Sequence, residues 1–260
     1  MLLHGLLDDA AGWRQVMERS SHPCLAIDLP GFGSSSLPVR AHVDAYAADV
    51  ARALEHLDVA HATVVGHSLG GAVAAALAER SGAVDALALL APAGFGPLRL
   101  AELASLPGVR DALQAALPLG LANPLVVAAA YSTFVAHRRL PSGELVARLR
   151  RGAPRAGRGT RMAVEAVAVA GREATRLRRF EGPVTALWGA RDALVPVAHA
   201  EGVLRAFPHA RVEVWDGMGH HPQRERPEAL DRFLTTALWR ARPRAKALRA
   251  PAPPARRRAA

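Results

Sequence analysis

Between Ala62 and Arg80 the chain passes from a β-branched run, Ala62-Thr63-Val64-Val65, through Gly66-His67-Ser68-Leu69-Gly70-Gly71, into an alanine-rich stretch. That order reads as a strand, a sharp turn and a helix, with a serine at the apex. A nucleophile elbow has this pattern: the serine backbone is strained and its hydroxyl stands exposed above the sheet. Gly66 and Gly70 flank it because strand and helix are expected nearly to touch, leaving no room for a Cβ. Gly-x-Ser-x-Gly alone is short enough to arise by chance. Its weight comes from the strand and helix signals on either side, and from whether the chain supplies a base, an acid and an oxyanion hole.

Short apolar strands recur along the chain and alternate with helical periodicity. Strands are expected at Met1–Gly5, Cys24–Leu29, Ala86–Leu90, Val184–Trp188 and Arg211–Trp215. Helices are expected at Trp13–Arg19, Val43–Leu57 and Pro227–Arg240. Apolar positions 43, 46, 47, 50, 51, 54 and 57 follow the helical period. Apolar strands alternating with helices predict a mostly parallel sheet covered on both faces. Residues 98–180 depart from this rhythm, with helical patterns broken by Pro107, Pro118, Pro124, Pro141 and Pro154. The expected organisation is an α/β core over 1–95 and 181–240, a helical insertion over 96–180, and a disordered basic tail over 241–260.

Two loops past strand ends carry the remaining chemistry. Gly189-Ala190-Arg191-Asp192 follows the 184–188 strand, and Asp216-Gly217-Met218-Gly219-His220-His221-Pro222 follows the 211–215 strand. Sites of open parallel sheets lie at the carboxyl ends of strands. A serine needs an imidazole to take its proton, and the imidazole needs a carboxylate to fix its tautomer. Ser68, Asp192 and His220 occur in the chain order that the elbow fold uses. Taken singly, Asp192 reads equally well as a turn residue and His220 as one of eleven histidines. Spacing does not separate His220 from His221. The oxyanion hole needs two N–H donors: Leu69, after the serine, and Leu6, in the loop His4-Gly5-Leu6. His4 reads as a loop anchor.

Composition narrows the classes. The chain has 260 residues, half of them hydrophobic, enough for one large core. A single cysteine, Cys24, excludes an intrachain disulfide and suits a reducing, cytoplasmic setting. No leader peptide or membrane span is expected, and no Cys/His cluster has metal-ligand spacing, so neither cofactor nor metal is expected. The net charge of +10 is uneven. From Arg240 onward eight residues are basic and none acidic, leaving 25 basic against 23 acidic residues elsewhere. Residues 136–181 carry twelve arginines against four glutamates. Such an insertion could attract an acidic substrate or an acidic carrier protein. The plainer reading is arginine-heavy codon usage, since 32 of the 33 basic residues are arginine. The arginines are not interleaved with aromatics, which argues against nucleic acid.

Together, His4-Gly5-Leu6, Asp28-Leu29-Pro30-Gly31-Phe32-Gly33-Ser34-Ser35, Gly66-His67-Ser68-Leu69-Gly70-Gly71, Trp188-Gly189-Ala190-Arg191-Asp192 and Gly219-His220-His221-Pro222 resemble the α/β-hydrolase superfamily over roughly residues 1–240. The resemblance implies a serine-nucleophile branch with a helical cap over 96–180 that sets specificity. It favours His220 over His221 as base. It also implies two further strands before the His-Gly loop, whereas this sequence opens inside that strand, so either the start was assigned late or that edge of the sheet is expected to be missing. Ser68 argues against the dehalogenase and epoxide hydrolase branches, whose nucleophile is aspartate. The expected function is cleavage of a carboxylic ester or thioester of a small-molecule acyl substrate through an acyl-enzyme. The alternatives are a lyase that uses the same residues as a base, and a catalytically impaired binding module on a hydrolase scaffold.

Overall fold

The computed structural model describes residues 1–136, 140–173 and 180–241, and the side chains among them except those of 172, 173 and 237–241. The expected basic tail lies outside the described residues from position 242 onward.

Six strands form one sheet: β1 (Leu2–Leu3), β2 (Ala26–Ile27), β3 (Ala62–His67), β4 (Val84–Leu90), β5 (Val184–Gly189) and β6 (Arg211–Trp215). Their spatial order is β2-β1-β3-β4-β5-β6, with every pair parallel. Ten α-helices are described, in chain order: α1 (Arg14–Arg19), α2 (Val43–His56), α3 (Leu69–Ala78), α4 (Arg99–Ala104), α5 (Val109–Ala122), α6 (Pro124–Ala130), α7 (Gly143–Glu173), α8 (Ala200–Ala206), α9 (Pro222–Glu225) and α10 (Pro227–Ala241). Between β4 and β5 all the described regular structure is helical, including a π-helical turn at Tyr131–Val135. The expected strands and helices are thus present, with ends shifted by a few residues.

The inner strands are mainly apolar because successive side chains enter two different cores, whereas β6, at the sheet edge, exposes Arg211 and Glu213. Leu3, Val64, Leu87, Leu89, Ala186 and Trp188 face a cluster built with α2, α3 and α8. Their neighbours Leu2, Val65, Ala88, Leu90 and Leu187 face a second cluster containing Trp13, Val16, Leu230 and Phe233, from α1, α10 and the turn before α1. Leu54 and Leu77 show how complete the burial is, at 1% and 0% exposure. Each such side chain contributes about 1.5–3 kcal/mol by leaving water. The α2 period holds because Val43, Tyr46, Ala47, Val50 and Leu54 form its buried stripe, and the His42 side chain caps its start by accepting from Asp44 N–H.

Two prolines do not break helices as their residue type predicts. Pro107, Pro124 and Pro141 lie at or outside helix ends, but Pro118 sits inside α5 and Pro154 inside α7. A helix-interior proline deprives the carbonyl four residues back of its partner. For Pro118 that carbonyl is Gln114 O, and it abuts Gly157 of α7, where a Cβ would lie 2.3 Å away. The α5–α7 contact thus occupies the site that the proline disrupts.

Among the described residues, no single helix is long and apolar enough to cross a membrane.

Candidate active site

Ser68 joins β3 to α3 with φ 53° and ψ −116°, in the left-handed half of the map that a side chain rarely adopts. The turn is held from several sides. Ser68 N–H donates to Leu90 O at 2.9 Å, while Ser68 O accepts from Gly71 and Ala93 amides at 2.9 and 3.0 Å. A Cβ on Gly66 would sit 2.3 Å from Gly70 O, so strand and helix do nearly touch. Gly70 differs from the expectation: its Cβ would strike Leu3 O, also at 2.3 Å, so it is the neighbouring strand β1 that demands the glycine. Ser68 is half-buried.

Asp192 and His220 meet across the ends of β5 and β6. His220 Nδ1 lies 2.7 Å from Asp192 Oδ2, and the two side chains are 3% and 0% exposed. The other carboxylate oxygen, Oδ1, accepts from Leu194 and Val195 amides, both at 2.9 Å. The carboxylate is therefore aimed before any ligand arrives. With Nδ1–H donating to Asp192, Nε2 of the neutral ring carries the lone pair, as a general base requires. It is His220 and not His221 that takes the carboxylate.

His67 links this pair to the serine turn. It precedes Ser68, its Nε2 donates to His220 O at 2.8 Å, and its ring centroid lies 4.7 Å from that of His220. The loop after β1 reaches the same place. A Cβ on Gly5 would fall 2.8 Å from His67 Nδ1 and 3.2 Å from Ser68 Cβ. His4 anchors this loop as expected: its Nδ1 donates to Gly5 O at 2.8 Å and its Nε2 accepts from Leu29 N–H at 2.9 Å. Leu69 opens α3, so its N–H has no intrahelical acceptor. Leu6 N–H enters no backbone hydrogen bond among the described residues.

His67, His220 and His221 are a histidine cluster whose ligand atoms lie within 4.8 Å of one another. Zinc bonds of about 2.0–2.1 Å would bring such atoms to roughly 3.4 Å. One nitrogen each of His67 and His220 is already engaged by other partners. Burial holds the His67 imidazole well below its ordinary pKa, assisted by the nearby His220 charge. Burial does the same to His221, assisted by His67 and Arg224. Both rings are therefore neutral, and both have a buried Nδ1 without a hydrogen-bond partner.

Several residues at the site carry no signal in the sequence. Glu225 clasps the His220 loop: its two oxygens accept from Gly219 and His221 amides, each at 2.9 Å. Val135, in the π-helical turn, accepts the His220 N–H at 2.7 Å. Asp8, with a side chain 4% exposed, is gripped by Arg148 of α7 and by Arg224 of α9. Arg148 also pairs with Asp9 at 3.1 Å. Glu225 aside, these partners are distant in the chain and follow no period. Two cavities flank the region, of about 220 and 1080 Å³. Neither is lined by Ser68, Asp192 or His220, but Arg148 borders both.

A strained serine turn, a sealed His–Asp pair and a doubly covered parallel sheet coincide with a match of residues 1–227 to the family described as alpha/beta hydrolase fold. The chain belongs to the α/β-hydrolase family. An uncharacterized protein of Mycobacterium tuberculosis is 32% identical to this hydrolase over 91% of the chain and 75% of its own length. The dihydrolipoyllysine-residue acetyltransferase component of the acetoin cleaving system of Pseudomonas putida is 31% identical over 92% of the chain. The chain spans 62% of that longer relative. Among solved structures, a membrane phospholipase A described as a bacterial virulence factor superposes with a TM-score of 0.71 at 27% identity. That superposition covers 93% of this hydrolase and 78% of the phospholipase chain.

Proposed function

We propose that this hydrolase cleaves a carboxylic ester, or a thioester, through an acyl-enzyme on Ser68. The observation that carries the reading is the His220–Asp192 contact of 2.7 Å, sealed from solvent and joined to the Ser68 turn through His67. The similarity to a phospholipase A, an ester-cleaving enzyme by its description, supports the same class.

On this reading Ser68 Oγ attacks the acyl carbon while His220 Nε2 takes its proton. Asp192 holds the ring in the productive tautomer and stabilises the imidazolium. Leu6 and Leu69 amides hold the oxyanion, a contribution of several kcal/mol when such donors are preorganised. The tetrahedral adduct collapses, His220 returns the proton to the leaving alcohol or thiol, and the acyl group stays on Ser68. Water then attacks the acyl carbon, giving its proton to His220. The acid is released and the hydroxyl restored. The helices of the 96–180 segment form the roof of the acyl pocket.

The test uses p-nitrophenyl butyrate and a fluorophosphonate probe. Turnover and probe labelling should both vanish in Ser68→Ala. Equal turnover in the two proteins would overturn the mechanism.

A further inference from the structure

The larger cavity, of about 1080 Å³, runs between α7 and the loop at Gly31–Leu37. One of its walls is cationic. Arg148, Arg151, Arg155 and Arg158 all line it. Their spacings of three, four and three residues place them along one face of a helix. The acids that line the same cavity, Asp8 and Asp9, are already paired with Arg148, and Asp8 with Arg224 as well. Arg151, Arg155 and Arg158 are exposed, and among the described residues no carboxylate lies within 4.0 Å of them. The opposite wall supplies no compensating acid. Ser34 and Ser35 line it, with their hydroxyls turned to Asp28, whose carboxylate also accepts the Ala10 and Ser34 amides.

Apolar side chains line it as well, Leu7, Phe32, Leu121 and Leu149 among them. Leu7 matters most for function. It has φ 58°, and its side chain packs among the α5–α7 side chains Leu121, Val146 and Leu149. It directly follows Leu6, the oxyanion donor of the proposed mechanism. An amphiphile lying in the groove would therefore place one end beside Leu7, next in the chain to Leu6, and its body on apolar side chains. Its far end lies among three uncompensated guanidinium groups. Guanidinium groups recognise carboxylate by paired N–H donors. The volume is that of a pocket for a ligand of drug or fatty-acid size.

We propose that this groove binds the far end of an anionic ester, one whose acyl chain terminates in a carboxylate, with Arg151, Arg155 and Arg158 as the residues that set this preference. The proposal rests on the serine-hydrolase reading for its substrate, but the groove itself can be tested apart from it.

The experiment has two arms. In the first, kcat/KM is measured for mono-p-nitrophenyl esters of straight-chain dicarboxylic acids and for neutral p-nitrophenyl esters of equal chain length. At the best length the anionic ester should be favoured about tenfold, and the preference should shrink with added salt. The ratio of anionic to neutral kcat/KM should collapse about tenfold in Arg151→Glu/Arg155→Glu. It should hold in Arg205→Glu/Arg211→Glu, which changes net charge equally on α8 and β6. In the second arm, the free dicarboxylate is titrated by calorimetry into Ser68→Ala, and into the same protein carrying the two groove substitutions. Binding should appear in the former and be lost in the latter.

Neutral esters turned over by Ser68, with no anionic preference and no dicarboxylate binding, would overturn the groove and leave the hydrolase reading standing. Dicarboxylate binding with turnover that survives Ser68→Ala would do the reverse. An equal fall in the ratio for both arginine pairs would also overturn the groove, showing only a diffuse charge effect.

Discussion

Asp192 meets His220 through one oxygen and its own loop through the other, so the carboxylate is pinned at both ends. Asp192→Asn keeps the shape and the loop bonds but offers an amide that can donate, which favours the wrong imidazole tautomer. The expected result is a fall in kcat of about 10³–10⁴ on p-nitrophenyl butyrate with the circular dichroism spectrum unchanged. His221→Asn, beside it, should leave kcat within a factor of about three, because His221 takes no bond from Asp192. Steady-state kinetics on the two variants separates the roles.

Gly70→Ala should destabilise the protein. The added methyl would lie 2.3 Å from Leu3 O and 2.6 Å from His4 O, and both obstacles are backbone. Relief requires β1 and α3 to part, at about 1–3 kcal/mol. Thermal unfolding should show a loss of roughly 3–10 °C for a chain of this size. A melting temperature equal to that of the unsubstituted chain would mean that α3 can shift freely.

Acid should weaken the fold through its buried histidines. His67 and His221 are held well below their ordinary value of 6.5, first by burial and then by neighbouring positive charge. Below about pH 6.5 the unfolded chain takes up protons that the folded chain refuses. Stability is therefore full above that pH and declines as the pH falls toward the folded-state values, by up to about 1.4 kcal/mol per unit for each ring. Urea unfolding at about pH 7.5 and about pH 5.5 should show the decline. His221→Asn should reduce it by about 1 kcal/mol.

Two ion pairs on α7 and its neighbour should differ in strength. Arg148 is 11% exposed beside an Asp8 that is 4% exposed, whereas the Arg14–Glu144 pair is 57% and 52% exposed. Arg148→Ala leaves a buried carboxylate with Arg224 as its remaining partner, and should cost about 2–4 kcal/mol. Arg14→Ala should cost under about 1 kcal/mol. A double-mutant cycle with Asp8→Asn measures the coupling at the buried pair, and a coupling near zero would count against it.

The sequence made the fold legible where one residue type has one physical use. The apolar strands of 84–90 and 184–189, the glycines around Ser68 and the period of α2 belong here. It was legible for Ser68, Asp192 and His220 because each lies just past a strand, where a parallel sheet gathers its chemistry. It misled where packing overrides propensity. Gly70 and Gly71 read as a turn but belong to α3, because β1 and Pro92 leave no room for a side chain. Pro118 reads as a break but stays in α5, against Gly157 of α7. Asp8, Arg148 and Arg224 were invisible because a pairing across most of the chain leaves no local pattern, and Glu225 because a carboxylate accepting from nearby loop amides has no distinguishing spacing.

The bond from His220 N–H to Val135 O has a consequence for anyone who re-engineers selectivity. Transplanting the stretch between β4 and β5 from another hydrolase is an obvious way to change what such an enzyme accepts. Here the transplant would also remove the acceptor that steadies His220. A chimera would inherit slow chemistry along with its new appetite, unless the donor brings a main-chain oxygen to the same spot.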